Sequence, residues 1–78
     1  MKFNVGDIIR CKSAMIITDL NDKDETVDKG QYFIVVSYGE RMSDYVEESG
    51  HTILCQKSGR YSFWEEEEAP LSDSFNKE

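Results

Sequence analysis

Cys11, His51 and Cys55 could together supply three zinc ligands in this 78-residue sequence. Their spacing matches no zinc signature, because Cys-x-x-Cys is absent and His51-x3-Cys55 alone is a weak motif. A proton shuttle at His51 would need a partnered nucleophile or a substrate cleft, and the sequence indicates neither. No phosphate-binding loop or dinucleotide glycine pattern is present. We therefore expect a protein that is not an enzyme, with no metal or cofactor, and His51 as an ordinary surface or turn histidine.

Both cysteines lie within apolar runs, where a free cysteine behaves as a small buried hydrophobe. No framework of paired cysteines is present, so we expect reduced thiols and a cytoplasmic protein. No segment resembles a signal peptide or approaches the roughly 20 apolar residues of a membrane span. The sequence thus predicts no interaction with a membrane.

Sixteen acidic residues against nine basic ones give a formal charge of −7 and a pI near 4.6. Such a charge repels phosphate backbones and favours basic partners. Lys57 and Arg60 near Tyr61 and Trp64 are a fragment of a nucleic-acid-binding pattern, but the acidic residues on both sides oppose it. Direct nucleic-acid binding is therefore disfavoured, and a basic or mixed protein surface is the expected partner.

Acidic stretches and aromatic side chains together predict where that partner binds. An acidic loop beside an exposed ring suits a basic surface, since charge increases the association rate and rings provide binding energy. Trp64 is equally well explained as a core residue, and most of the carboxylates as solvated surface. The predicted partner-binding residues are Asp19, Asp22, Asp24, Glu25, Asp28, Tyr38, Glu47, Glu48, Trp64, Glu65, Glu66, Glu67 and Glu68.

The elements that must position these residues are predominantly strands. A Gly-Asp turn leads into a first strand whose alternation places Phe3, Val5, Ile9 and Cys11 on one face. A second apolar run, Ala14 to Thr18, extends or continues that strand after a kink at Ser13.

Two further segments give the firmest strand predictions. Residues 31–38 are apolar on both faces, which predicts a central strand that Gly39 ends, with Tyr38 on the face opposite Phe33. Residues 52–56 and 60–64 flank Lys57-Ser58-Gly59 and predict a β-hairpin.

The remaining segments are predicted to be irregular. Asp19 to Asp28 is polar and predicts an exposed, mobile loop. Glu40 to Gly50 predicts a loop with one short helical turn, because Met42, Tyr45 and Val46 have i, i+3, i+4 spacing. Residues 72–78 are predicted to form a flexible C-terminal tail, with Phe75 its only anchor.

In this order the chain resembles a small, five-stranded SH3-like barrel. The resemblance rests on Phe3-x-Val5-Gly6-Asp7-x-Ile9-x-Cys11, then Lys29-Gly30-x-x-Phe33-x-Val35, then the hairpin with Gly59 and Trp64. The pattern is similar to that of short phage and prophage proteins, in which a tyrosine is usual at the position of Phe33. It implies one SH3-like domain over residues 1–71. The Ala-Leu-Tyr-Asp-Tyr-like patch of eukaryotic SH3 domains is absent, so polyproline binding is not implied.

Three functions follow as hypotheses. The first is a phage-type protein that binds a protein in the cytoplasm of a bacterial host and modulates it, most simply by inhibition. The second is a DNA-mimicking inhibitor of a basic DNA-binding protein, which requires the acidic stretches to form one surface. The third is an RNA- or ribosome-associated module. An exposed strand edge on so small a barrel would also allow pairing with a second copy.

Overall fold

In the computed structural model, which describes residues 3–42, 47–67 and 69–78, seven strands and one short helix are present. The mainly β fold is therefore confirmed. In chain order the elements are β1 (Ile8–Cys11), β2 (Met15–Thr18), β3 (Asp24–Val27), β4 (Tyr32–Met42), β5 (Glu47–Cys55), β6 (Tyr61–Glu65), α1 (Leu71–Ser74) and β7 (Phe75–Lys77).

Five strands form one antiparallel sheet in the order β6-β5-β4-β1-β7. The predicted central strand is confirmed, because β4 lies between β5 and β1. The predicted hairpin is also confirmed: β5 and β6 pair with Leu54 opposite Tyr61, and Gly59 in their connection has φ 73°. Such a positive φ favours glycine, which explains why the chain turns there.

Alternation along the strands builds the core. Ile9, Phe33, Val35 and Ile53 are almost completely buried on the inner face of the sheet. The predicted shared face of Phe3, Val5, Ile9 and Cys11 is wrong for Val5, because the other three side chains are buried and that of Val5 is 59% exposed. Val5 immediately precedes Gly6, whose φ of 95° takes this segment out of the alternation of β1.

An irregularity in β4 corrects the predicted faces of that strand. The pairing of β4 with β5 shifts register between Val35 and Ser37, which inserts one extra residue into β4. Tyr38 consequently lies opposite His51 and shares the face of Val35, whereas simple alternation had placed it on the other face. Gly39 does not end the strand, which continues to Met42.

The prediction of a mobile loop over residues 19–28 is wrong for its second half. Residues 24–27 form β3, which pairs with β2 as a two-stranded hairpin. Ile17 and Val27 bury their side chains in the core, so the hairpin is held by apolar contacts despite its polar surface. A backbone hydrogen bond of 2.9 Å from Leu20 N to Tyr61 O joins this hairpin to β6.

The prediction of a flexible tail over residues 72–78 is corrected by α1 and β7. Strand β7 pairs with β1, with Cys11 opposite Phe75. The Phe75 ring is buried in edge-to-face contact with Phe33 and Trp64, at centroid distances of 5.3 and 5.2 Å. Long-range pairing and aromatic packing therefore hold a segment whose sequence is mostly polar.

The loop predicted over residues 40–50 is wrong where the structure describes that segment, and the helical turn predicted within it stays a prediction. Residues 40–42 belong to β4 and residues 47–50 to β5, while Tyr45 and Val46 lie outside the described residues. The short helix lies at Leu71–Ser74, directly after Pro70, where a proline is compatible with a helix start.

Both cysteines are buried free thiols, as the sequence predicts. Burial, with a smaller contribution from the neighbouring Cys55, raises the pKa of Cys11 to about 11. Such a thiol is a poor nucleophile at neutral pH. Among the residues that the structure describes, no helix is both long and apolar enough to cross a membrane.

Candidate functional site

A cleft of about 700 Å³ opens beside the bulged part of β4. Phe3, His51 and Leu71 contribute buried side chains to its lining, and Tyr38 and Glu66 contribute exposed ones. The β4 bulge brings Tyr38 to this cleft, and Pro70 with α1 borders it on another side. The lining mixes apolar residues with polar ones, which include Asn4 and Ser72 as well as Tyr38, His51 and Glu66. A concave surface of this kind is a candidate binding site.

His51 lies inside this wall, so the prediction of a surface or turn histidine is wrong. It belongs to β5 and is only 7% exposed, on the same face as Ile53 and Cys55. Its ring contacts the Tyr38 ring edge-to-face, with centroids 4.8 Å apart. The buried His51 ring therefore packs against the Tyr38 ring and helps to fix its orientation.

Tyr38 and Glu66 form a direct hydrogen bond at the cleft. The Tyr38 hydroxyl donates to Glu66 Oε2 over 2.7 Å. This bond, together with partial desolvation and the charges of Glu66 and Glu40, raises the pKa of Tyr38 above its usual range. Glu66 is held in place because its own amide donates to the Ser49 carbonyl over 2.9 Å.

Two further carboxylates, Glu40 and Glu47, lie close together beyond Tyr38. Glu40 lies opposite Ser49 and Met42 opposite Glu47, which makes the two glutamates diagonal neighbours across β4 and β5. A hydrogen bond with Glu47, and then its negative charge, raise the pKa of Glu40. We call Glu40, Glu47 and Glu66 the carboxylate rim.

Glu40 was missed by the sequence analysis. Its neighbours Gly39 and Arg41 give no run of acidic residues, and simple alternation along β4 does not bring residue 40 to the face of Phe33. Only the bulge does so. A bulge has no unambiguous sequence signal here, so the place of Glu40 in the site could not be predicted from the sequence.

Other predicted partner-binding residues lie away from the rim. Glu48 forms an ion pair with Arg41 (3.7 Å between Oε2 and Nε), and the Arg41 guanidinium lies over the Phe63 ring. The Glu65 carboxylate accepts the Glu67 amide over 3.2 Å. Glu68 lies outside the described residues.

Trp64 is partly buried and packs against the core. Its half-buried ring contacts Phe75, and its buried indole Nε1 has no acceptor among the described residues. Tyr61 is exposed three positions earlier, on the opposite face of β6. Trp64 is therefore not on the same face of β6 as Tyr61, the other ring of the RNA-binding hypothesis.

The carboxylates of the β2–β3 hairpin have partners within the chain. Asp19 Oδ1 accepts the amides of Lys23 and Asn21 over 3.0 and 2.8 Å, and its Oδ2 lies 3.7 Å from Arg60 Nη1. The Lys23 amide bond above all, with the Asn21 bond and the nearby cations, lowers the pKa of Asp19.

Asp24 accepts the Thr18 hydroxyl and Glu25 accepts the Ser58 hydroxyl, over 2.8 and 2.9 Å. We call Asp19, Asp24 and Glu25 the turn carboxylates. Asp22 and Asp28, the other acidic residues of this segment, have exposed side chains.

The turn carboxylates and the carboxylate rim lie at opposite ends of the β5–β6 hairpin. Two of the turn carboxylates, Glu25 and Asp19, contact Ser58 and Arg60 in the connection between these strands. The rim lies beside Ser49 and His51, at the other end of β5. Cys55 lies six positions after Ser49 along β5, which corresponds to about 20 Å. The predicted acidic residues therefore form two groups.

No group of histidine, cysteine and acidic residues within the described part of the chain could hold a metal ion. Comparison with known proteins found no matching family model, no matching curated protein and no matching solved structure. A function for this protein is therefore inferred from the geometry of the cleft and the carboxylate rim.

Proposed function

We propose that this protein is a small, non-enzymatic binding module that holds a basic segment of another protein at the cleft beside Tyr38. The observation that carries the proposal is the position of the carboxylate rim: Glu66 lines the cleft beside Tyr38, and Glu40 and Glu47 lie further along the β4–β5 ladder. The apolar residues of the lining provide contact area, and the three carboxylates provide charge of one sign. This combination suits a lysine- or arginine-bearing segment with apolar neighbours.

The electrostatic environment of the rim favours a cationic ligand. Glu40 and Glu47 approach one another, and like charges at short distance destabilise the unbound state. A bound ammonium or guanidinium group would relieve that repulsion. The exposed Tyr38 ring beside them can additionally contact a cation through its face.

The partner that we propose is a bacterial host protein in the cytoplasm, which the phage-type protein would modulate by occupying its basic surface. The resemblance around Val5-Gly6-Asp7 and Lys29-Gly30 to short phage and prophage proteins supports this choice. Inhibition is the simplest outcome, since a covered basic surface is closed to its other anionic ligands.

We also infer that the fold is an SH3-like barrel. The sheet order β6-β5-β4-β1-β7, the bulge in β4 and the hydrogen bond from Leu20 to Tyr61 support this inference. A bulge bends its strand, and the hydrogen bond joins the β2–β3 hairpin to the β6 edge of the sheet.

The test is affinity purification of the tagged protein from bacterial lysate with two charge-matched triple variants. Glu40→Gln/Glu47→Gln/Glu66→Gln removes the rim charges, while Asp22→Asn/Asp28→Asn/Asp73→Asn removes three exposed charges elsewhere. We expect the wild type and the second variant to capture the same protein. The rim variant should bind that purified protein at least about tenfold more weakly, because three charged contacts are lost.

Equal losses in the two variants would contradict the proposal, because they would show dependence on net charge alone. Competition experiments with the captured protein then separate the mechanisms. Displacement by short duplex DNA would favour DNA mimicry, whereas displacement by a lysine- and arginine-bearing peptide from the partner itself would support binding at the cleft.

A further inference from the structure

A second, smaller cavity of about 350 Å³ concentrates positive charge in this acidic protein. Three cationic side chains contribute to its lining, from the end of β1 and from the segment before β4. Its lining includes Arg10, Lys12, Lys29, Gly30, Asn76 and Glu78. The cavity is independent of the cleft described above, and shares no lining residue with it.

The Arg10 guanidinium is held on several sides. Arg10 lies opposite Tyr32 on β4 and opposite Asn76 on β7, so all three side chains share one face of the sheet. Its Nε donates to the Gly30 carbonyl over 3.3 Å, and its Cζ lies 4.9 Å from the centre of the Tyr32 ring. A guanidinium fixed in this way loses little side-chain entropy when it binds a ligand.

Gly30 provides the space for this arrangement. A Cβ atom at position 30 would lie only 3.1 Å from Arg10 Nη2. The φ of 86° at Gly30 also disfavours any other residue. The glycine therefore allows the guanidinium to approach the backbone closely at the edge of the cavity.

The two lysines differ in how they are placed. The Lys12 ammonium group donates to the Ser72 carbonyl, which holds it near the cavity, and Lys29 is exposed. The nearest carboxylate contact of Arg10 is with Glu78, at 3.7 Å between Nη1 and Oε1. That distance is too long for a hydrogen bond, so Glu78 supplies charge without satisfying the donor.

We propose that this cavity binds the phosphate group of a small phosphorylated molecule, with Arg10 as its principal ligand and Lys12 and Lys29 as flanking charges. A guanidinium presents donors in a fork that matches phosphate oxygens, and ammonium groups add charge attraction. Glu78 competes with the phosphate for Arg10 and so weakens binding. This proposal does not depend on the binding function of the cleft.

The test is an NMR titration of the full chain with inorganic phosphate at constant ionic strength, with chloride as the balancing anion. We expect saturable shifts of the Arg10 Nε–H and the Gly30 and Asn76 amides. Arg10→Lys should weaken phosphate binding by roughly tenfold, because the fork is lost. Lys29→Gln should weaken it by about threefold and Glu78→Gln should strengthen it by about threefold, which are the effects expected of exposed charges.

Lys57→Gln is the matched control, since it removes an exposed lysine from the β5–β6 connection. An equal loss in Lys57→Gln and Lys29→Gln, or shifts that never saturate, would overturn the proposal. If Arg10→Lys fails to fold, the two exposed variants Lys29→Gln and Glu78→Gln still decide the outcome. Glycerol phosphate binding at least as tightly as inorganic phosphate would support a small phosphate ester, whereas preference for a short single-stranded oligonucleotide would contradict it.

Discussion

At the β2–β3 turn, carboxylates accept hydrogen bonds from amides and hydroxyls, whereas Glu40 and Glu47 of the carboxylate rim approach one another. Asp19 is the clearest case of the first environment, and its pKa is lowered. Glu40 is the clearest case of the second, and its pKa is raised. Both residues are acidic, yet the fold stabilises the charge of one and destabilises that of the other.

This difference shows why a count of acidic residues does not locate a binding surface. Among Glu65, Glu66 and Glu67, the described residues of the glutamate run, Glu66 belongs to the rim, while Glu65 accepts an amide from its own segment. Glu40 stands outside every acidic run and still belongs to the rim. A carboxylate that already has donors within the chain gains less from a cationic partner than one that faces another carboxylate.

The largest effect should come from Gly50, which supports the rim from β5. A side chain at position 50 would overlap the Trp64 carbonyl, whereas one at Gly39, directly across the ladder, would meet nothing within 4 Å. Gly50→Ala should lower the free energy of unfolding by about 3 kcal/mol, at the upper end of typical overpacking effects. Gly39→Ala is the control in urea unfolding, and similar losses in both variants would refute the close approach.

Single charge removals should affect the two regions with opposite signs. Asp19→Asn weakens the acceptor of two amides, so it should lower Tm by roughly 5 °C in a domain of this size. Glu40→Gln removes repulsion and should leave Tm unchanged or raise it slightly. Differential scanning calorimetry at neutral pH measures both. A lower Tm for Glu40→Gln than for Asp19→Asn would show that the rim is not repulsive.

The pH dependence of stability should separate the two residues further. The pKa of Asp19 lies below its ordinary value of 3.8 in the folded state, so its contribution is present above that value and is lost as pH falls through the folded pKa. The pKa of Glu40 lies above its ordinary value of 4.5, so its destabilising effect grows as pH rises from 4.5 through the folded pKa.

Urea unfolding of the wild type and both variants, measured across this pH range, tests these signs. The difference between wild type and Asp19→Asn should shrink at acidic pH. The difference between wild type and Glu40→Gln should instead appear only on the neutral side. Parallel curves for all three proteins would contradict both assignments.

The smallest effect should be that of salt. The Debye length falls from about 10 Å at 0.1 M to about 3 Å at 1 M, so salt screens exposed like charges. Added sodium chloride should stabilise the wild type slightly, and this gain should be smaller in Glu40→Gln than in Asp19→Asn. Potassium fluoride serves as the control for ion-specific effects. An identical gain in stability in both variants would indicate that the response to salt depends on net charge alone.

Local signals in the sequence were sufficient for part of the fold. Gly59 marks the β5–β6 connection, and the apolar run containing Phe33 and Val35 predicts the central strand, because both signals act over a few residues. Strand β3 could not be predicted, since Val27 is its only large apolar residue and pairing with β2 stabilises it. Strand β7 depends in the same way on a distant partner, β1.

The candidate site was predictable only in part. Tyr38, Glu47 and Glu66 were among the predicted residues, because aromatic and acidic residues are visible in any sequence. Their convergence with Glu40 and His51 depends on the extra residue between Val35 and Ser37. Inserting one residue into a strand reverses which of the following side chains face inward. The sequence alone does not show which residues of β4 and β5 are paired, so it does not reveal the inserted residue.

The pairing of β1 with β7 has a consequence for synthesis of the protein on the ribosome. Strand β1 emerges first among the described strands, yet one of its two edges finds its partner only in residues 75–77. The sheet therefore stays incomplete, with one edge of β1 exposed, until Lys77 has left the exit tunnel. A nascent chain therefore carries an open β1 edge until residues 75–77 have emerged, and an open strand edge favours association with other chains.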